Sequence, residues 1–347
     1  MSLRHVMGAA LAALLLAAPG VAAESNAYTV HPLVSNVAGA APTVDPNLVN
    51  AWGLVAGPTT PWWVADNGTD KSTLYTQTGA IVPIVVDVDG GPTGIVFNGG
   101  AGFLVQSGAL SGPARFIWAS ENGTLHGWNP AVPPPPSHPA QQTADRSSVG
   151  ASYKGLAIAG STLYATDFHN ARVDMFDSSW SYVGSFTDAS VPHGYAPFGI
   201  QAIGARIFVT YAKQDADAAD EVAGQGRGLV DVFDTSGALL GRVGQHGQLN
   251  APWGLALAPP TFGRFGGDLL VGNFGDGEIV AYEELANGRF EPRGELRGAD
   301  GNPLAIDGLW ALEFGTGSPS SGPLDTLFFT AGPNDEEDGL FGSITAG

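Results

Sequence analysis

NAWGLVAG at residues 50–57 places an aromatic residue and a glycine at the head of a short apolar run. The pattern returns as GPTGIVFNG (91–99), YKGLAIAG (153–160), APFGIQAIG (196–204), APWGLALAP (251–259) and IDGLWALEFG (306–315). With Gly53, Gly94, Gly155, Gly199, Gly254 and Gly308 as anchors, the spacings are 41, 61, 44, 55 and 54 residues. Periods of this size mark propeller blades separated by loops of unequal length. Each unit continues with two β-rich segments around a polar turn, as in WWVADNGTDKSTLYTQTG (62–79) and DLLVGNFGDGEIVAYEE (268–284). Alternating apolar residues flanked by Asn-Gly or Asp-Gly are hairpin signals. Six such units predict an all-β, six-bladed β-propeller.

Composition agrees. The 347 residues include 50 Gly and 25 Pro but only 14% charged residues, which disfavours long helices. Residues 1–23 read as a signal peptide, with Arg4 and His5 before an apolar run and Val21-Ala22-Ala23 as the cleavage pattern. One propeller domain is then expected over 24–347, in a secreted or periplasmic protein. No stretch is long and apolar enough to span a bilayer. Cysteine is absent, so no disulfide holds the fold. Removing residues 1–23 takes away Arg4 and no acid, leaving 13 basic against 33 acidic residues, a charge of −20. Such a surface disfavours nucleic acid and suits divalent cations or cationic ligands.

YTVHPLVSNV (28–37) is strand-like but belongs to no repeat, and the last unit is short of an outer strand. The two are expected to pair and close the ring. Two insertions stand out: a Pro-rich and polar excursion at 131–152, and the acidic loop at 212–228, with Asp215, Asp217, Asp220 and Glu221. DADAAD lacks the sixth-position Gly and twelfth-position Glu of an EF-hand loop.

YATDFHNARVDMFD (164–177) resembles the NHL-type propeller repeat, in which Asp-to-Arg hydrogen bonds brace the blade; Asp167 and Arg172 stand at those places. DPNLVNAWGL, PWWVADNGTDKSTLY, YAKQDADAADEVAGQGRGLVDVFD and GPNDEEDGLFGSI are similar to a family of exported, uncharacterised bacterial proteins, some of which end in a PEP-CTERM-type sorting tail. The resemblance covers nearly the whole mature chain and implies a six-bladed fold but no activity. The tail has no counterpart here, which implies release rather than anchoring.

Polar residues recur in register where the second strand meets its turn: Asp66 and Asn67, Glu121 and Asn122, Asp167 with His169 and Asn170, Asn273, and Asn334. Gathered at one mouth, they would form a ligand site. Asp66, Glu121, Asp167, Asn273 and Asn334 are a hard-oxygen set suited to Ca2+ or another divalent cation. The competing reading is turn chemistry, since Asn and Asp favour tight turns. His193 and His246 occupy comparable blade transitions where they would face one mouth. Trp52, Phe198, Trp253 and Trp310 are expected to pack between blades, and one of Trp62 and Trp63 to be exposed for carbohydrate or peptide contact. No nucleophile elbow or phosphate loop occurs. Two functions follow: a monomeric binding or scaffold protein engaging a small molecule, polymer or protein at the funnel mouth, or a metal-assisted hydrolase, lactonase or lyase.

Overall fold

The computed structural model describes residues 25–347 apart from 136–138, so the expected signal peptide lies outside the described residues. The chain forms a ring of six antiparallel sheets. Their inner strands are Ala51–Ala56, Pro92–Phe97, Tyr153–Ala159, Tyr195–Ile203, Pro252–Leu257 and Leu309–Phe314. Helical structure among the described residues is limited to three single 3-10 turns, as the density of breakers requires.

Closure follows the expected route. Tyr28–Ser35 pairs antiparallel with Leu340–Ala346, Tyr28 opposite Ala346 and Ser35 opposite Leu340, and completes the sixth blade from the other end of the chain. The short strand Thr43–Val44 then adds in parallel.

The anchors have a common cause. In every inner strand the ladder to the second strand slips by one residue at the same place, between Ala51 and Leu54 in the first blade and Leu309 and Leu312 in the sixth. A bulge of this kind bends the strand and re-aims a side chain. Its second residue faces the neighbouring inner strand. A Cβ on Gly53 would collide with the Thr93 carbonyl oxygen, one on Gly199 with that of Trp253, and one on Gly254 would lie 2.5 Å from that of Trp310. Glycine here is the condition for six strands to crowd around one axis. The sixth blade departs from the sequence alignment: by register its equivalent position is Ala311, and Gly308 belongs to the preceding turn at φ +63°.

The unequal spacings also resolve. A hairpin of Leu104–Ser107 and Leu110–Pro113 is inserted in the second blade and accounts for the long interval before Gly155. The 131–152 excursion is not all loop, because Gln141–Asp145 is the second blade's outer strand. Its polar sequence fits an edge exposed to water.

Candidate functional site

The bulge aims its first residue at the axis, and the six residues so placed are Trp52, Thr93, Lys154, Phe198, Trp253 and Trp310. Four aromatics meet there rather than packing only between blades. Trp52 stacks on Trp310 at 3.7 Å between ring centroids, Trp253 sets its edge on Trp310 at 5.9 Å, and Phe274 stacks on Trp310 at 4.1 Å. They plug the channel near the mouth where the inner strands begin, called the upper mouth below.

Lys154 is the one charged residue in that ring. Its side chain is 2% exposed, its ammonium lies 5.3 Å from the Trp52 ring centroid, and it ion-pairs with Glu121 and, at 3.1 Å, with Asp220 Oδ1. Burial alone would pull this lysine down, but the Glu121 and Asp220 carboxylates reverse the effect and hold it above its ordinary range. Asn67 donates to Glu121 at 2.9 Å, Asn50 donates to Asn67 Oδ1 at 3.3 Å and to Glu336 at 2.5 Å, and Trp310 Nε1 donates to Asn50 Oδ1 at 3.0 Å. The network thus runs from the sixth blade through the first and second to the lysine of the third.

The acidic loop completes the arrangement. Asp215 accepts the Ala219 amide at 2.9 Å and turns the loop back, Gln214 donates to the Phe168 carbonyl at 2.7 Å, and His169 Nδ1 donates to the Ala218 carbonyl at 3.2 Å. The fold-back brings Asp220 over Lys154 and half-buries Glu221, while Asp217 remains exposed. Burial pushes the Glu221 carboxyl up to about 7, with Glu336 and Asp220 adding repulsion. Burial likewise raises Glu336, with Glu121 and Asp220 crowding it. One ammonium therefore faces four carboxyl groups. An open cleft of about 510 Å3 lies above, lined by Glu121, Asn122, Ser147, Lys154, His169 and Asp220.

The other sequence candidates have local roles. Asp167 accepts from the Ser152 and Asn170 amides and the Asn170 side chain, and ion-pairs with Arg172 at 3.2 Å, while the Arg172 hydrogen bond goes to Asp174 rather than to the expected Asp167. Asn273 accepts the Asn250 amide and donates to the Gln248 carbonyl, tying two turns together. Asn122 closes its own turn onto Thr124. Asp66 is fully buried, and that burial pushes its carboxyl well above the ordinary range. Asn334 is an exposed rim residue bonded to Asp338. The five expected cation ligands are thus dispersed, and no three His, Asp or Glu among the described residues are grouped to hold a metal ion. His193 and His246 are exposed, and His246 donates to the Gly226 carbonyl within its own loop. Trp62 and Trp63 are both buried, against the expectation of an exposed one, because their strand lies inside the blade: Trp62 donates to the Ser321 carbonyl and Trp63 stacks on Phe116.

Asn50, Lys154 and Glu336 were absent from the sequence candidates. Lys154 carried a usable signal, since YKGLAIAG has lysine before its glycine where three of the six repeats have Trp or Phe. Asn50 and Glu336 carried none, because their place depends on how the ring closes.

No family model matches the chain. Among the solved structures, virginiamycin B lyase from Staphylococcus aureus is similar over 92% of this chain and 99% of its own, at a TM-score of 0.51 and 13% identity. A protein of unknown function from Bacteroides thetaiotaomicron is similar over 92% of this chain and 76% of its own, at a TM-score of 0.56 and 11% identity. Likeness at this level carries the fold alone. Two uncharacterized proteins of Acanthamoeba polyphaga mimivirus are 33% and 34% identical, each over 91% of this chain and over 80% and 85% of their own lengths. The bacterial and exported character implied by the sequence motifs finds no support in these viral relatives. What they do carry is membership: the chain belongs to the family of these two mimivirus proteins.

Proposed function

We propose that the protein is an exported binding propeller whose upper cleft takes a cationic ligand rich in hydrogen-bond donors, such as an oligomer of an amino sugar. The observation that carries this reading is the imbalance around Lys154, where Glu121 and Asp220 pair with it at the cleft and Glu221 and Glu336 crowd the same carboxylates. Carboxylates and amide oxygens in excess of cations attract a ligand that brings positive charge and N–H or O–H groups. Without residues 1–23, 13 basic against 33 acidic residues leave a formal charge of −20, which adds long-range attraction for such a ligand. Binding rather than turnover is favoured because Lys154, Glu121, Asp220 and Glu336 are each already held by another side chain, which makes a rigid recognition surface. Export rests on the leader-like residues 1–23.

Titration calorimetry with a glucosamine tetramer at pH 6 tests the reading. Saturable binding is expected, at least tenfold weaker for Asp220→Asn and for Glu121→Gln, with the neutral cellotetraose binding more weakly still. Absence of binding, or binding indifferent to both substitutions, would overturn it. A Ca2+-dependent rise in melting temperature that the same substitutions abolish would instead favour the metal-assisted alternative.

A further inference from the structure

The lower mouth, where the inner strands end, is built differently. Immediately below the bulges the six strands carry Leu54, Ile95, Leu156, Ile200, Leu255 and Leu312, an aliphatic ring around a cavity of about 30 Å3, room for about one water. One residue further on, register places Val55, Val96, Ala157, Gln201, Ala256 and Glu313. Four of these are apolar. The remaining two are hydrogen-bonded to each other across the channel, Gln201 Nε2 donating to Glu313 Oε2 at 2.9 Å. A cavity of about 230 Å3 opens beside them, and no other titratable side chain lines either space.

This pair is incomplete. Among the described residues the Gln201–Glu313 bond is the only one either side chain makes, and no Lys, Arg or His pairs with Glu313. Because the Gln201 amide nitrogen is turned to Glu313, the Gln201 carbonyl oxygen and the second Glu313 oxygen remain as acceptors. Two acceptors and one acidic group, set in an aliphatic ring, match a group that has at least two N–H donors, a positive charge and an apolar attachment. A hydroxyl would leave the carboxylate without a counter-charge, and a quaternary ammonium has no hydrogen to donate.

We propose that the lower mouth binds a primary ammonium on a short aliphatic stem, with Glu313 and Gln201 taking the N–H groups and Leu54, Ile95 and Val96, which line the larger cavity beside them, taking the stem. The site is separated from the upper cleft by the aromatic plug, so it stands independently of the function proposed above. Burial pushes the Glu313 carboxyl up to about 7, and an ammonium beside it would draw it back toward the ordinary range. Glu313 would then lose its proton to the buffer on binding, and no other group lining the cavity titrates.

The test is calorimetric titration at pH 7 with n-butylammonium chloride, against n-butanol and tetramethylammonium chloride at matched ionic strength, in two buffers of different ionisation enthalpy. Saturable butylammonium binding with net proton release is expected, with butanol and tetramethylammonium at least tenfold weaker. Glu313→Gln, close in shape, should abolish the proton release and weaken binding at least tenfold, and Val55→Phe, which fills the mouth, should weaken it with Glu313 intact. Butylammonium that binds no better than butanol, or equally well to both variants, would overturn the proposal.

Discussion

A lysine at Lys154 takes a place that Trp52, Phe198, Trp253 and Trp310 fill in other blades, and the two choices are physically linked. A buried ammonium is expensive unless its charge is matched and its donors are used. Here Glu121 and Asp220 supply the match and the Trp52 ring covers one side. Burial raises the carboxyls of Glu221 and Glu336, with the surplus of acids adding repulsion, while Glu313 is raised at the opposite mouth by burial with a single partner. These shifts have a measurable sign. A carboxyl near 7 in the folded chain and near 4.5 unfolded is protonated in the native state over a window where the unfolded state has lost the proton. Stability therefore falls as pH rises from about 4.5 to 7. Glu313→Gln removes one such contribution, so its melting temperature should fall less steeply than that of the wild type across this window and exceed it at pH 8. Parallel curves, measured by scanning calorimetry, would place the Glu313 carboxyl in its ordinary range.

At the scale of the element, the bulged inner strand is the unit on which the site is built. It turns one residue to the axis and requires the next to be nearly side-chain-free where the neighbouring backbone approaches. Gly199→Ala should therefore cost about 3 kcal/mol, since the collision is with the Trp253 backbone and not with a movable side-chain end. Gly241→Ala, in an outer strand with open space around the added methyl, should stay within about 0.5 kcal/mol. Urea denaturation of the pair checks both, and equal losses would mean the anchors are not packing glycines. This element was legible in the sequence because a glycine-headed apolar run recurs at propeller spacing and is followed each time by hairpin signals. The sixth anchor was misplaced by three residues because Gly308 lies beside the true position and Ala311 has replaced the glycine there. The second-blade outer strand was hidden by its polar sequence, since an edge exposed to water carries little apolar alternation.

At the scale of the molecule, the ring depends on a strand borrowed from the other end of the chain. Tyr28 and Val34 are buried in the completed sheet, Tyr28 between Phe262 and Phe265 of the fifth blade. Deleting residues 24–40 should remove the cooperative unfolding transition altogether; a deletion variant that melts at the wild-type temperature would show that the ring closes without it. The candidate site is also a property of the whole ring. Asp66, Asp167 and Asn273 look in sequence like Glu121, yet local turns and buried packing hold them, and only the folded ring shows that, of these four, Glu121 is the one that reaches Lys154. Asn50 and Glu336 are 286 residues apart and meet only because the first and last blades are neighbours.

The central claim is that a ligand enters over Lys154, and the chain has only three lysines, Lys71, Lys154 and Lys213, with which to watch it. Lysine-selective carbon-13 labelling, followed by NMR titration with the glucosamine tetramer, reads the site directly. The account predicts that the Lys154 Cε signal moves and saturates while those of Lys71 and Lys213 stay in place. A tetramer that binds while the Lys154 signal remains fixed, or that moves none of the three, would contradict it.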